Sequence, residues 1–301
     1  MVKRVLVLGT TVTSKSPEEY YKVYTSLFED AAELADVAVE VATALTDDLC
    51  ISVGVEAFRI YDTKNAKDIA DYEVIFLRGG GFRGMFDVLY TVSTYCKAHN
   101  VRLINSYTQS YDFSKLAQAV RLLKGDVPVP QTVYVTPAVV RGACQLPFAF
   151  PCIMKDVYGA HGLKNFVVES FEDVLKHVEE HQETKFILQA FVPNDGDIRV
   201  VILGNDQLVL HRKAAGGSHL NNTSQGGSAD LLDKAELDAR LLPLAKRAAK
   251  VLDMTCAGVD IIIHQQTDEY YVLEVNSQPQ IISGAFLQDK KQLLAQFLKT
   301  L

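Results

Sequence analysis

The sequence predicts an α/β layer followed by an α+β region, and three observations carry that reading. Before Asn105, short apolar runs alternate with helical stretches, the pattern of parallel strands joined by helices. After Gln131, apolar runs follow one another through short polar turns, the pattern of antiparallel sheets. At 301 residues, 48% hydrophobic and 22% charged, the chain is long enough to bury cores in two or three subdomains. The division expected is 1–112 for the α/β layer and 113–301 for the rest. The second part splits into a first subdomain, 113–191, and a second, 192–301.

Taken in order, Val5 to Leu8 reads as a buried strand. The apolar start from Met1 to Gly9 is too short for a signal peptide and belongs to that strand. Ser16-Pro17-Glu18-Glu19 opens a helix, with a capping hydroxyl, Pro in the first turn and acids at the positive end of the dipole. That helix is expected to reach about Ala35. Val37 to Val41, Phe58 to Tyr61 and Val74 to Leu77 are expected as strands of the layer. A helix from Met85 to His99 and a strand from Val101 to Ile104 complete it. Phe113 to Leu123, closed by Gly125, reads as the next helix. Val127 to Pro130 is extended by its prolines, and Gln131 to Val135 continues as a strand. Antiparallel strands are expected at Ile153 to Val157, Phe166 to Glu169, Phe186 to Val192, Ile198 to Leu203 and Leu208 to Arg212. Phe171 to His181, Ala235 to Leu252 and Leu287 to Leu301 are expected as helices. Ile261 to Ile263 and Tyr270 to Val275 read as a last pair of strands.

The formal net charge of −7 gives no general pull toward nucleic acid or anionic lipid, and neither is expected as a partner. No apolar run approaches the ~20 residues of a membrane span. The five cysteines, Cys50, Cys96, Cys144, Cys152 and Cys256, are scattered and odd in number, with no C-x-x-C pair. They read as reduced, mainly buried packing thiols of a cytoplasmic protein.

Ala257-Gly258-Val259-Asp260 and Glu274-Val275-Asn276-Ser277 carry the strongest chemical signal. Glu274 and Asn276 are two apart on one strand and share a face. Asp260 comes from the neighbouring strand, so three oxygen donors can converge, as hard cations such as Mg²⁺ require. A capping Asp and an exposed edge carboxylate would give the same letters. Lys155 lies on a strand before the loop Gly159-Ala160-His161-Gly162, and Lys164 follows. Such a loop lets backbone N–H groups approach a phosphate, with lysine as point charge. A plain hairpin turn is the alternative. Gln189-Ala190-Phe191-Val192 leads into the turn Pro193 to Gly196, where backbone groups can pair with an adenine edge and Phe191 adds apolar surface. Asp197 and Arg199 share one strand face. Arg199, Arg212 and Lys213 can together hold a transferring phosphoryl group and an acidic substrate. The polar stretch from Gly216 to Gly227, with His219 and Asn222, is long for a compact domain and reads as functional, with His219 a candidate for contact with the substrate. Arg78 and Arg83 flank the glycines after the strand ending at Leu77, where open α/β sheets bind ligands. They are candidates for a substrate carboxylate, or else solvated arginines of a strand-to-helix connection.

These segments, with Lys115 in Ser114-Lys115-Leu116, stand in the order found in ATP-grasp enzymes. The chain resembles the ribosomal-protein glutamate ligase branch, with glutathione synthetase more distant, over about Lys115 to Pro279. The resemblance implies a pre-ATP-grasp α/β domain at 1–112 and an ATP-grasp fold of two subdomains after it. It implies that Lys115 and Lys155 bind ATP phosphates, aided by Gly159, His161, Gly162 and Lys164, with Asn222 also in the nucleotide site. Gln189, Ala190, Phe191 and Val192 would meet adenine, Ala190 and Val192 through the backbone, and Asp197 would lie near the ribose. Asp260, Glu274 and Asn276 would hold one or two Mg²⁺ (or Mn²⁺). Arg199 and Arg212, with Lys213, would steady an acyl phosphate. The implied activity is an ATP-dependent carboxylate–amine ligase joining an amino acid or small acid to an amine or peptide, releasing ADP and phosphate. The branch commonly forms homo-oligomers.

The chain also departs from the branch. Lys164 stands for a Gly, Leu220 for an Arg, Ala190 for a Glu and Gln280 for a common Gly, and the turn to Asp197 is shorter. The acceptor is therefore not carried over. Two other activities fit the same motifs: a nucleotide-binding regulatory module without turnover, and an ATP-grasp enzyme making a thioester or a phosphorylated product.

Overall fold

The computed structural model describes residues 2–10, 16–55, 58–79, 82, 84–106, 114–159, 162–213 and 227–301. The first stretch runs β1 (Lys3–Gly9), α1 (Pro17–Ala35), β2 (Val39–Leu45), β3 (Leu49–Val53), β4 (Phe58–Asp62), β5 (Lys67–Asp68), β6 (Val74–Leu77), α2 (Phe86–Ala98) and β7 (Arg102–Ile104). It continues with α3 (Lys115–Lys124), β8 (Thr132–Tyr134), α4 (Pro137–Val140), β9 (Cys152–Asp156), β10 (Asn165–Val168), α5 (Phe171–Glu180) and β11 (Phe186–Ala190). The last stretch holds β12 (Asp197–Leu203), β13 (Asp206–Lys213), β14 (Ser228–Leu231), α6 (Leu241–Val251), β15 (Cys256–Ile263), β16 (Tyr270–Asn276) and α7 (Leu287–Leu298).

Four sheets result. A parallel sheet has the order β2-β1-β6-β7. A small antiparallel sheet, β3-β4-β5, sits beside it. Two further antiparallel sheets follow, β10-β9-β11-β8 and β14-β13-β12-β15-β16. The described residues thus form a parallel α/β layer followed by antiparallel sheets with helices, as expected.

Several elements differ from the sequence expectation for identifiable reasons. The strand expected at Val37 begins at Val39, because Asp36 ends α1 in the left-handed conformation (φ 53°, ψ 47°) and the Val37 N–H still donates to Ala32 O. β4 does not join the parallel layer. Only four residues separate it from β3, far fewer than the dozen a parallel crossover needs, so it pairs antiparallel. The helix expected from Ala235 starts at Leu241. Pro243 cannot donate an N–H and its ring would clash with a helical carbonyl four residues back, so it belongs to the first turn. β3, β5, β14 and the short α4 were not expected.

The packing fixes where chemistry can sit. Val200, Ile202, Val209, Val259 and Ile261 form one core with α6. On the other face of the same sheet, Val201, Leu203, Leu208 and Leu210 join Leu294 and Phe297 of α7, and with them Phe28 and Phe76 of the α/β layer. The layer and the large sheet thus share one core. Three cysteines, Cys96, Cys152 and Cys256, are buried, and burial raises the Cys96 and Cys152 thiols to about 12 and about 11. The expectation of packing thiols holds for these three and fails for Cys50 and Cys144, which are exposed. No helix among the described residues is long and apolar enough to cross a membrane.

Candidate active site

Antiparallel register builds a row of charge across the large sheet. Asp197 on β12 lies opposite Arg212 on β13, and Arg199 lies opposite Asp260 on β15. Asp260 in turn lies opposite Glu274 on β16. Opposed residues and those two apart share a face, so all five side chains stand together. Arg199 grips Asp260 with a two-pronged contact, Nε to Oδ1 at 2.7 Å and a terminal nitrogen to Oδ2 at 2.6 Å. Arg212 grips Asp197 the same way and reaches Asp260 Oδ2 at 3.1 Å. Arg212 is 3% exposed and Asp260 4%.

Burial raises the pKa of each carboxylate, and their neighbours then part them. Burial and the adjacent Asp260 push Asp197 up to about 6 despite Arg212. Asp260, also buried but facing two guanidiniums, lies below the usual range. Glu274 is likewise lowered: burial works against ionisation, but the Lys115 ammonium and a hydrogen bond from Asn276 prevail. The two acids differ because Asp260 holds more positive charge than Asp197.

Two lysines meet this row from outside the sheet. Lys115 opens α3, and its ammonium lies 3.7 Å from Glu274 Oε2 while donating to the carbonyl of Gly159. It therefore ties the glycine loop after β9 to β16. Lys155 on β9 donates to Gln189 Oε1 at 2.6 Å on the neighbouring strand. Burial lowers its pKa to about 8, against the pull of Glu274, Asp260 and Asp197. The site is thus a seam between two sheets, with ammonium groups on one side and carboxylates on the other.

Asp260, Glu274 and Asn276 offer two carboxylates and an amide on one sheet face, a donor set that suits a hard divalent cation. Asn276 Nδ2 donates to Glu274 Oε1 at 2.7 Å, which leaves its oxygen as the donor for an ion. At the connector after β11, the Ala190 N–H donates to Gln131 O and the Val192 carbonyl accepts from Asn194. Gly162 (φ 73°) and Lys164 (φ 52°) both take the left-handed conformation. At Lys164 this is a conformation that glycine adopts without steric cost and a residue with a Cβ adopts less readily.

Not every expected residue joins the seam. The Lys164 ammonium donates to Thr184 Oγ1 at 2.5 Å. Lys213 lies at the rim, half-exposed, 3.7 Å from Asp195. Arg78 is 3% exposed and donates to the Pro279 carbonyl at 2.6 Å, so it acts as a strut between the α/β layer and the segment after β16, not as a solvent-facing carboxylate clamp. Gln189 is buried between Lys155 and Thr132. Arg83, His161, His219 and Asn222 lie outside the described residues.

Three supporting residues escaped the sequence reading. Gln118, one turn after Lys115, pairs its amide with both the N–H and the carbonyl of Val275, bracketing β16 between Glu274 and Asn276. Asn105 accepts from the N–H groups of Thr255 and Cys256 and donates to the Ser277 carbonyl. The spacing from Lys115 could have flagged Gln118; Asn105 makes contacts too distant in sequence for any local signal. Lys290 on α7 is 4% exposed, donates to Ser283 O at 2.8 Å, and lines a cavity with Arg199, Arg212 and Gln280.

Gly196 makes the turn into β12 possible. It sits at φ 99°, and a Cβ there would lie 2.3 Å from the Arg212 carbonyl. Gly196→Ala is expected to destabilise the protein by about 1–3 kcal/mol, the cost of a strained backbone conformation, with further loss from the clash. Chemical denaturation measures it; wild-type stability would contradict the placement of this turn.

A model of the RimK-like ATP-grasp domain matches residues 115–294 of the chain. The tetrahydromethanopterin:alpha-L-glutamate ligase of Methanosarcina acetivorans is 31% identical over 218 residues, 64% of this chain and 64% of that relative. The chain therefore matches less than two thirds of that protein's length. Among solved structures, the ATP-grasp ligase PsnB complexed with a minimal precursor superimposes with a TM-score of 0.68 at 17% identity, covering 100% of this chain and 99% of that one. D-alanine–D-alanine ligase from Bacillus anthracis complexed with ATP does so with a TM-score of 0.66 at 17% identity, covering 99% and 97%. At such identities the structural likeness speaks for the fold alone.

Proposed function

Because the chain belongs to the RimK-like ATP-grasp family, we propose that it is an ATP-dependent carboxylate–amine ligase working through an acyl phosphate. The observation that supports this best is the seam itself, where Lys115 and Lys155 face Asp260 and Glu274. Lys115 and Lys155 hold the phosphates of ATP. The Ala190 carbonyl and the Val192 N–H receive the adenine edge. Asp260, Glu274 and Asn276 would hold Mg²⁺, which when bound supplies counter-charge to the phosphoryl oxygens.

In the first step a substrate carboxylate oxygen attacks the γ-phosphorus, the bond to the bridging oxygen breaks, and ADP leaves. In the second, an amine nitrogen attacks the acyl carbon, phosphate departs, and the amine gives up a proton. Arg199 and Arg212 stabilise the charge that builds on the acyl phosphate, since a fixed guanidinium fork matches it. The buried Lys290 beside them adds positive charge for an anionic substrate group. The substrates are small-molecule or peptide carboxylates and amines.

Hydroxylamine offered with ATP and a panel of amino acids and short peptides tests this reading. A hydroxamate with stoichiometric ADP release is the expected result. ATP binding without ADP release on any carboxylate would favour a regulatory module and overturn it.

Lys155 gives a second test. Lys155→Ala is expected to weaken ATP binding by about 1.5–3 kcal/mol, the range for one charge-assisted hydrogen bond. The pH dependence has a definite sign. Free Lys155 titrates at about 8, and a bound phosphate favours its charged form, so ATP affinity is greatest below pH 8 and falls as pH rises beyond it. Lys155→Arg should flatten that decline. Calorimetry from pH 7 to about 9.5 would show a flat wild-type profile if Lys155 did not touch the nucleotide.

A further inference from the structure

We infer that His177, Glu180 and His181 form a binding site for a divalent transition metal of the zinc class at the end of α5. His177 and Glu180 lie three residues apart on α5 and share a face, and His181 is the residue that caps the helix, its backbone already turned out of the helical conformation (φ −132°, ψ 54°). One ligand atom from each lies within 4.8 Å of the other two. His177 Nδ1 is buried and has no hydrogen-bond partner. The Glu180 carboxylate, at Oε2, stands 3.6 Å away, too far for a hydrogen bond. Two ligands bound to one zinc ion at about 2.0–2.2 Å stand roughly 3.3–3.6 Å apart at tetrahedral to trigonal angles. The separation therefore matches the edge of a coordination shell.

The rings are held for this purpose. His177 stacks on Phe166 with centroids 3.8 Å apart and planes 9° apart, and His181 lies 6.0 Å from the same ring at 11°. Both imidazoles are thus aligned before an ion arrives. Two nitrogens and one carboxylate oxygen suit zinc, nickel or copper and not magnesium, and a water completes the shell. The site is separate from the seam. Phe166 pairs with Met154 in register, whereas Lys155 points to the opposite face of that sheet. An ion here would brace the turn after α5, where the Thr184 N–H donates to His181 O and Thr184 Oγ1 receives Lys164.

Calorimetric titration of the full chain with Zn²⁺, in millimolar Mg²⁺ and a Cys50→Ser, Cys144→Ser background, tests this. One zinc per chain is expected. His181→Gln and the exposed Glu180→Gln are each expected to weaken it by about tenfold or more, with thermal unfolding in zinc-free buffer unchanged. Asp260→Asn with Glu274→Gln should bind zinc as the parent does. No zinc binding, or equal affinity in both α5 variants, would overturn the site.

Discussion

Asp260→Asn combined with Glu274→Gln is expected to lower ATP turnover by about 10³-fold or more while the chain stays folded. Each carboxylate faces the lysines across the seam, and the pair supplies the negative charge that a cation on the phosphates requires. Neutralising both removes that charge and preserves side-chain volume, although at position 260 one of the two oxygens that accept from Arg199 and Arg212 becomes a donor, so part of the folding stability is lost as well. The magnitude follows from losing preorganised electrostatic stabilisation in a desolvated site. Circular dichroism would verify folding, and steady-state assays the loss. Wild-type turnover in the double variant would remove both residues from the chemistry.

Arg212→Ala is expected to fail in two ways at once. Its guanidinium is the shared partner of Asp197 and Asp260, and all three are buried. Removing one partner of a buried charged network leaves the others unpaired, at about 3–5 kcal/mol of folding stability. The stabilisation of the acyl phosphate goes with it, at about 10²-fold or more in kcat. Arg199 provides the cleaner separation because its side chain is 18% exposed and grips Asp260 alone. Arg199→Ala should lose kcat with a smaller stability cost and with ATP affinity near wild type. Denaturation, kinetics and a separate nucleotide titration distinguish these outcomes. A large loss of ATP affinity with unaltered kcat would move the arginines to the nucleotide site.

The seam was partly legible in the sequence because strand periodicity is local. Two-residue spacing placed Glu274 beside Asn276 and Asp197 beside Arg199, and the antiparallel register then aligned both pairs with Asp260 and Arg212. What the sequence could not reveal is how each charge is spent. Arg78 looks like a ligand clamp beside glycines, yet the shared core buries it against the Pro279 carbonyl, 201 residues away. Gln189 looks like part of an adenine segment, yet its side chain supports Lys155. Gln118 was within reach of helical spacing from Lys115, but Asn105 and Lys290 act through partners far along the chain or in another element, where no periodicity points. Element ends shifted wherever one residue vetoed a conformation, as Asp36 and Pro243 did.

A crystal structure with Mg²⁺ and a non-hydrolysable ATP analogue would test the central claim most directly. The account predicts phosphates within hydrogen-bonding distance of Lys115 and Lys155, adenine against Ala190 and Val192, and metal on Asp260, Glu274 and Asn276. Nucleotide bound away from the seam, or phosphates out of reach of both lysines, would contradict it.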